Sequence, residues 1–126
     1  MRWDMYRSLN MSSKNIIKAL SSCSEIETIK EDSELIVITN KTIQYNNDVL
    51  ALYIIKDLDE KYYMIDKSYI LAGGYDNGKS TSQVEEIVAK NKLMIDGNMI
   101  VSEINTHNVV ETLQRFINVA KEFYII

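Results

Sequence analysis

Hydrophobic positions along the chain switch between helical and strand spacing, and the switches divide it into short elements. Tyr6, Leu9, Ile16, Ile17 and Leu20 recur at near-helical intervals and predict a first helix from Met5 to Ser21. Ser21, Ser22 and Ser24 read as its exit. From Glu25 the pattern turns to that of strands. Leu35-Ile36-Val37-Ile38 is a β-branched-rich run bounded by Asp32-Ser33 and Asn40; Val49 to Ile55 is a second run and Lys61 to Asp66 a third. Asp57-Leu58-Asp59-Glu60 carries turn chemistry and predicts a hairpin between the last two, and Asn46-Asn47-Asp48 is a loop of the same kind. Ser68 to Ala72 suits a short helical turn.

Ser80-Thr81-Ser82 opens a middle helix, with two capping-box pairings available, Ser80 with Gln83 and Ser82 with Glu85. Val84, Ile87 and Val88 form its apolar face. Leu93-Met94-Ile95 and Met99-Ile100-Val101 flank Asp96-Gly97-Asn98, a tight hairpin whose Asp-Gly pair favours a type I′ turn. The last helix starts near Asn105-Thr106 and reaches Tyr124, with a broad buried face that includes Val109, Leu113, Phe116, Ala120 and Phe123. The order is α-β-β-β-α-β-β-α. Its central connections are too short for parallel crossovers. The fold class is therefore α+β: an antiparallel sheet of about five strands packed with an N-terminal helix, a middle helix and a long C-terminal helix.

With 126 residues, 25% of them charged and 46% hydrophobic, the chain reads as one domain over 1–126, residues 1–10 being a loosely held extension. Cys23 is the only cysteine, which excludes an intrachain disulfide and suits a reducing cytoplasm. No apolar run approaches the ~20 residues of a membrane span, so no membrane partner is expected. The net charge of -4 and pI near 5.0 argue against direct nucleic-acid binding, which usually needs a basic patch.

One segment matches a chemical motif at every fixed position. Gly73-Gly74-Tyr75-Asp76-Asn77-Gly78-Lys79-Ser80 fits the phosphate-binding loop G-x-x-x-x-G-K-[ST]. In such a site, loop amides cradle phosphates, Lys79 contacts the β/γ phosphates and Ser80 ligates Mg²⁺. The placement speaks against it. The loop follows more than half of the chain, too little remains for parallel strands and crossovers, and Asp96 falls on a hairpin rather than at the end of a central strand. A glycine-rich turn whose Ser80 caps a helix accounts for the same residues, with nucleotide binding through Gly73, Gly78, Lys79 and Ser80 as the alternative.

Other candidates are thin. His107 is the only histidine and falls in the first turn of the last helix, and no second His or Cys stands by to build a metal site or a Cys–His pair. Cys23 lacks a cationic neighbour in sequence and reads as a small half-buried residue. No catalytic residue, cofactor or metal is expected. The acidic segments are more informative. Glu25, Glu27, Glu31, Asp32 and Glu34 flank a single Lys30, and Asp57, Asp59 and Glu60 form a second cluster. These suit either a solvated sheet face or a negative surface offered to a protein partner with a basic surface. Phe116, Phe123, Tyr124, Ile125 and Ile126 make the end of the last helix strongly apolar, which suits either a homodimer through that helix or burial against the chain's own sheet.

The strand run Ile36-Val37-Ile38-Thr39, Asp48 to Ile55 and Tyr62-Tyr63-Met64-Ile65-Asp66 is followed by a helix, a Met94-to-Val101 hairpin and a terminal helix with Val109, Leu113, Phe116 and Val119. Over residues 35–123 this arrangement resembles the bacterial and phage domain-of-unknown-function family 1828. Of the Thr-Asp-Asp-Gly-like turn usual there after the third strand, only Asp66 is kept, in Asp66-Lys67-Ser68. The resemblance implies an accessory role in a phage or mobile element and no known chemistry. The expected function is thus a non-enzymatic protein–protein interaction, such as inhibition of a host defence or nucleic-acid-handling enzyme. A nucleotide-binding protein and a DNA-binding regulator are the alternatives.

Overall fold

Strands that alternate apolar and polar residues need cover on one face; strands that are apolar throughout need it on both. The computed structural model describes residues 13–31, 34–39, 44–45 and 48–124. Helix α1 (residues 13–20) leads into strands β1 (Ile26–Glu31) and β2 (Leu35–Thr39). A small ribbon, β3 (Gln44–Tyr45) with β4 (Asp48–Val49), precedes β5 (Ala51–Lys56) and β6 (Tyr62–Ile65). Two helices, α2 (Tyr69–Asp76) and α3 (Thr81–Lys90), separate β6 from the hairpin of β7 (Met94–Asp96) and β8 (Met99–Ile104), and α4 (Val109–Tyr124) closes the order.

The α+β class is as expected, but the main sheet has six strands, in the order β1-β2-β5-β6-β8-β7, antiparallel throughout. The added strand is β1. Its exposure repeats every third residue rather than every second, because the register shifts between Ile26 and Thr28. Such a bulge with flanking charges is a common way to blunt an edge strand. The Asp57–Glu60 hairpin and the β7–β8 hairpin form as expected. In the second, only Gly97 has positive φ (63°), the sign pattern of a type II′ rather than a type I′ turn. The part of the predicted first helix before residue 13 lies outside the described residues.

Alternation sorts the sheet into two faces. Leu35 and Val37 on β2, Leu52 and Ile54 on β5, Met64 on β6 and Ile100 and Ile104 on β8 are buried beneath the helices. α1 adds Ile16 and Leu20 to this core, and α4 adds Val109, Leu113, Phe116, Ile117, Ala120 and Phe123. Phe116 and Phe123 are fully buried within their own chain. Neither ring has surface to give to a dimer through the C-terminal helix; the Tyr124 side chain, Ile125 and Ile126 lie outside the described residues.

The short turn expected over Ser68–Ala72 extends to a full helix that includes Gly73 and Gly74. Each glycine disfavours a helix by ~1 kcal/mol relative to alanine, so packing must favour them. At Gly74 it does: a Cβ there would stand 2.8 Å from Cδ2 of Phe123. The bare backbone lets α2 lie close on α4, and Asn77 Nδ2 donates to the Phe123 carbonyl (2.6 Å) across the same contact.

Gly74→Ala should therefore destabilise the fold, an overpacking loss of about 1–3 kcal/mol being offset in part by the gain in helix propensity. Urea titration reads the effect. Adding Phe123→Leu should recover part of the loss, since a smaller side chain vacates the space the new methyl needs.

Candidate functional site

Register decides which acidic residues can act together. Glu31 pairs with Leu35, and Leu35 with Ile54, so β1 ends where β2 begins and β5 ends. Tyr62 pairs with Ile104, which brings the start of β6 and the end of β8 to the same place. One end of the sheet therefore gathers Glu31, Glu34, Asp57, Asp59 and Glu60, together with Glu103, which the sequence reading left out because the β6–β8 neighbourhood is not local. Glu25 and Glu27 stand at the opposite end of β1, beside the partner of Ile26, Thr39. Asp32 lies outside the described residues.

Several of these carboxylates have structural work. Asp57 Oδ1 accepts from the amides of Asp59 and Lys61, each at 2.9 Å, and shapes the hairpin tip. Glu103 lies 3.6 Å from Lys61 Nζ. Glu34 pairs with Lys67, whose ammonium sits 4.1 Å from the centre of the Tyr53 ring, and the carboxylate raises the Lys67 pKa. Glu31, Asp59 and Glu60 complete the rim with exposed side chains.

The glycine segment closes one helix and opens the next. Gly73 and Gly74 are buried inside α2. After the helix the Lys79 amide donates to the Gly74 carbonyl (3.1 Å) and the Gly78 amide to the Tyr75 carbonyl (3.0 Å). With Gly78 at φ 83°, this is a Schellman closure. The Ser80 amide donates to Gln83 Oε1 (2.8 Å), and Ser80 Oγ accepts from the Gln83 amide (3.2 Å), a full capping box. The amides of Asn77, Gly78, Lys79 and Ser80 thus already have partners.

Asp66 is the most buried carboxylate described, at 0% exposure. Its Oδ1 accepts from the Ser68 amide (3.0 Å) and the Ile100 amide (2.8 Å), and its Oδ2 from the Leu71 amide (3.0 Å). Burial pushes its pKa up, against the lowering effect of these donors. The acid ties β6, α2 and β8 together.

The remaining candidates are dispersed. Burial raises the pKa of the half-buried Cys23 thiol, and Glu25 adds to the rise, which disfavours a reactive thiolate. His107 is exposed in the turn before α4, where its amide donates to Asn105 Oδ1 (2.8 Å). Asn105 and Asn108 accept from each other's amides in the manner of a capping box. A groove of about 540 Å³ between α2, α3 and β7 has an apolar floor including Leu71, Val88 and Leu93, with Tyr75 and Glu85 among its lining. It brings no nucleophile and base together. Among the described residues no cluster of His, Cys, Asp and Glu could hold a metal ion, and no helix is long and apolar enough to cross a membrane. Comparison with protein-family models, curated proteins and solved structures finds no match.

Two outcomes follow from these assignments. Calorimetric titration with Mg·ATP or Mg·GTP should give no saturable heat, and Lys79→Ala should leave that unchanged, whereas Ser80→Ala should lower stability by about 1 kcal/mol through the lost cap. For Asp66, a raised native pKa means that the unfolded chain releases its proton first as pH rises. Its contribution is thus fully present below the ordinary carboxylate value and is lost as pH rises through the higher native one. Denaturant titrations from pH 3 to 8 should show this loss in the wild type relative to Asp66→Asn. The variant should itself be about 1–3 kcal/mol less stable, because its amide nitrogen meets a backbone donor.

Proposed function

We propose that the chain is a non-enzymatic interaction protein whose acidic sheet end engages a basic surface on a protein partner. The observation that carries this reading is the convergence of Glu31, Glu34, Asp57, Asp59, Glu60 and Glu103 from separate strands and turns at one end of the sheet. These carboxylates would compete with phosphates for Lys and Arg on a nucleic-acid-handling protein, and the mode of action is occlusion. Such occlusion would suit an accessory role in a phage or mobile element. Glu25 and Glu27 fall outside the surface, a strand length away.

Exposed charges act mainly on association, and each pair contributes only about 0–1 kcal/mol. A set of changes is therefore needed to expose the effect. Glu31→Lys, Asp59→Lys and Glu60→Lys together should slow association at least tenfold and leave thermal stability nearly unchanged. Raising the salt should slow the wild type toward the variant, since screening acts beyond ~8–10 Å near physiological ionic strength. The measurement is stopped-flow binding to the partner captured from host extract. Equal association rates for the two proteins would exclude the acidic end from the contact.

A further inference from the structure

The six-stranded sheet has two edges, and they are finished differently. β1 carries a bulge and charged residues, two devices that protect an edge from further pairing. β7 pairs with β8 without a register shift and contains neither proline nor lysine. Its backbone is also turned outward at one residue. Ile100, opposite Ile95, directs both its polar groups toward β6. Its amide donates to Asp66 Oδ1 (2.8 Å), and its carbonyl accepts from the Asp66 amide (3.3 Å). A residue of an antiparallel strand bonds through both groups to the same side, so Ile95 and Ile100 face each other without hydrogen bonds. Ile95 therefore turns its N–H and C=O to the open edge, where no further strand lies among the described residues.

A groove runs beside the same edge. Side chains on β7 alternate between the two faces of the sheet. Leu93 and Ile95 turn toward the helices and, with Leu71 of α2 and Val88 of α3, line the groove of about 540 Å³. That volume lies within the ~300–1,000 Å³ of pockets that hold a ligand. Ala89 of α3 is exposed on its wall. Among the described residues that line it, Glu85 alone is ionised. Met94 and Asp96 are exposed on the outer face, away from the helices. The nearest lysines are set apart: Lys90 pairs with Glu122, and Lys92 leads into the strand without lining the groove.

We infer that the β7 edge and this groove bind an extended segment of another protein, one with apolar residues at alternate positions and a lysine or arginine between them. Backbone complementarity is the first argument. The outward N–H and C=O of Ile95 match those of a strand laid ~4.8 Å away, and main-chain bonds with alternate side-chain pockets are how open sheet edges take peptides. β7 is short, so one residue supplies the edge bonds and the groove supplies the rest of the contact. Alternate residues of the added strand enter the groove beside Leu93 and Ile95. The residues between them lie on the outer face beside Met94 and Asp96. Charge is the second argument. Asp96 on the outer face and Glu85 in the groove both favour a basic residue in the segment, since opposite charges on neighbouring strands attract. The turn at Gly97-Asn98 lies at the end of β8 opposite Ile104, where the acidic rim stands. This surface is therefore separate from Glu31, Asp59 and Glu60, and the two proposals fail or stand independently.

Panning a displayed library of short random peptides on the full chain tests the inference. Enriched sequences should alternate apolar residues, carry Lys or Arg between them and lack proline at the centre. A synthetic consensus peptide should slow hydrogen exchange at the Ile95 amide and leave Met94 and Asp96, which face β8, unchanged. Ile95→Pro deletes only the outward N–H, a change that an edge strand tolerates, and should weaken the peptide about tenfold. Ile95→Val keeps the N–H and should bind as the wild type does. Because proline can also harm folding, Ala89→Arg supplies a second arm: it obstructs the groove from an exposed position and should weaken binding by a similar factor. Glu85→Lys with Asp96→Lys should turn the library's preference from basic to acidic residues. A library that yields no peptide binding below about one millimolar would overturn the inference. So would binders indifferent to Ala89→Arg, exchange at Ile95 that the peptide does not slow, or a basic preference that survives the charge reversal. A dimer of the wild type that Ile95→Pro abolishes would assign the edge to a second copy, and peptide binding seen only after removal of residues 1–12 would assign the groove to that segment. Either result also overturns it.

Discussion

The Asp66 carboxylate holds the abrupt turn from β6 into α2. β6 ends at Ile65 and α2 begins at Tyr69, so the chain turns from strand to helix within three residues. Two of them, Lys67 (φ 48°) and Ser68 (φ 74°), adopt left-handed backbone without being glycine. Each such residue costs of order 1–3 kcal/mol unless its surroundings hold it. The amides of Ser68 and Leu71 converge on the carboxylate from the turn, while Ile100 donates to it from the neighbouring strand. A smaller or purely apolar side chain at this position leaves three buried donors without an acceptor. From the same turn Lys67 reaches over the outer face to Tyr53 and Glu34. The junction therefore shapes both sides of the sheet.

Much of this fold was legible in the sequence, and the exceptions have physical causes. β2, β5, the two hairpins, α3 and α4 show regular periods and recognisable turn or capping residues. β1 as a separate strand was obscured because its bulge breaks the two-residue repeat, leaving Ile26 and Ile29 three apart. α2 was foreshortened because Gly73-Gly74 has poor helix propensity; its compensation is the close approach of Phe123, far along the chain. The phosphate-loop pattern was matched by residues whose spacing also makes a Schellman closure followed by a capping box.

The acidic surface was partly legible for a similar reason. Sequence proximity grouped Glu25 and Glu27 with Glu31 and Glu34, but a strand carries its two ends apart, and the grouping dissolves along β1. Pairing across strands adds Glu103, whose neighbour Tyr63 lies on a strand separated from it by two helices. Charge counting along the chain has no access to that neighbourhood.

The strand order also bears on how the chain reaches this state. β2, β5 and β6 each pair with the preceding strand of the sheet, and β7 with β8 forms a local hairpin. Only the β6–β8 seam joins residues separated by α2 and α3. Closing a loop costs entropy that rises with the logarithm of its length, and that cost precedes any contact the closure brings. Two locally formed halves thus meet along a single non-local seam. The bond from the Ile100 amide to Asp66 lies on it, at the boundary between what forms by proximity and what must wait for a search.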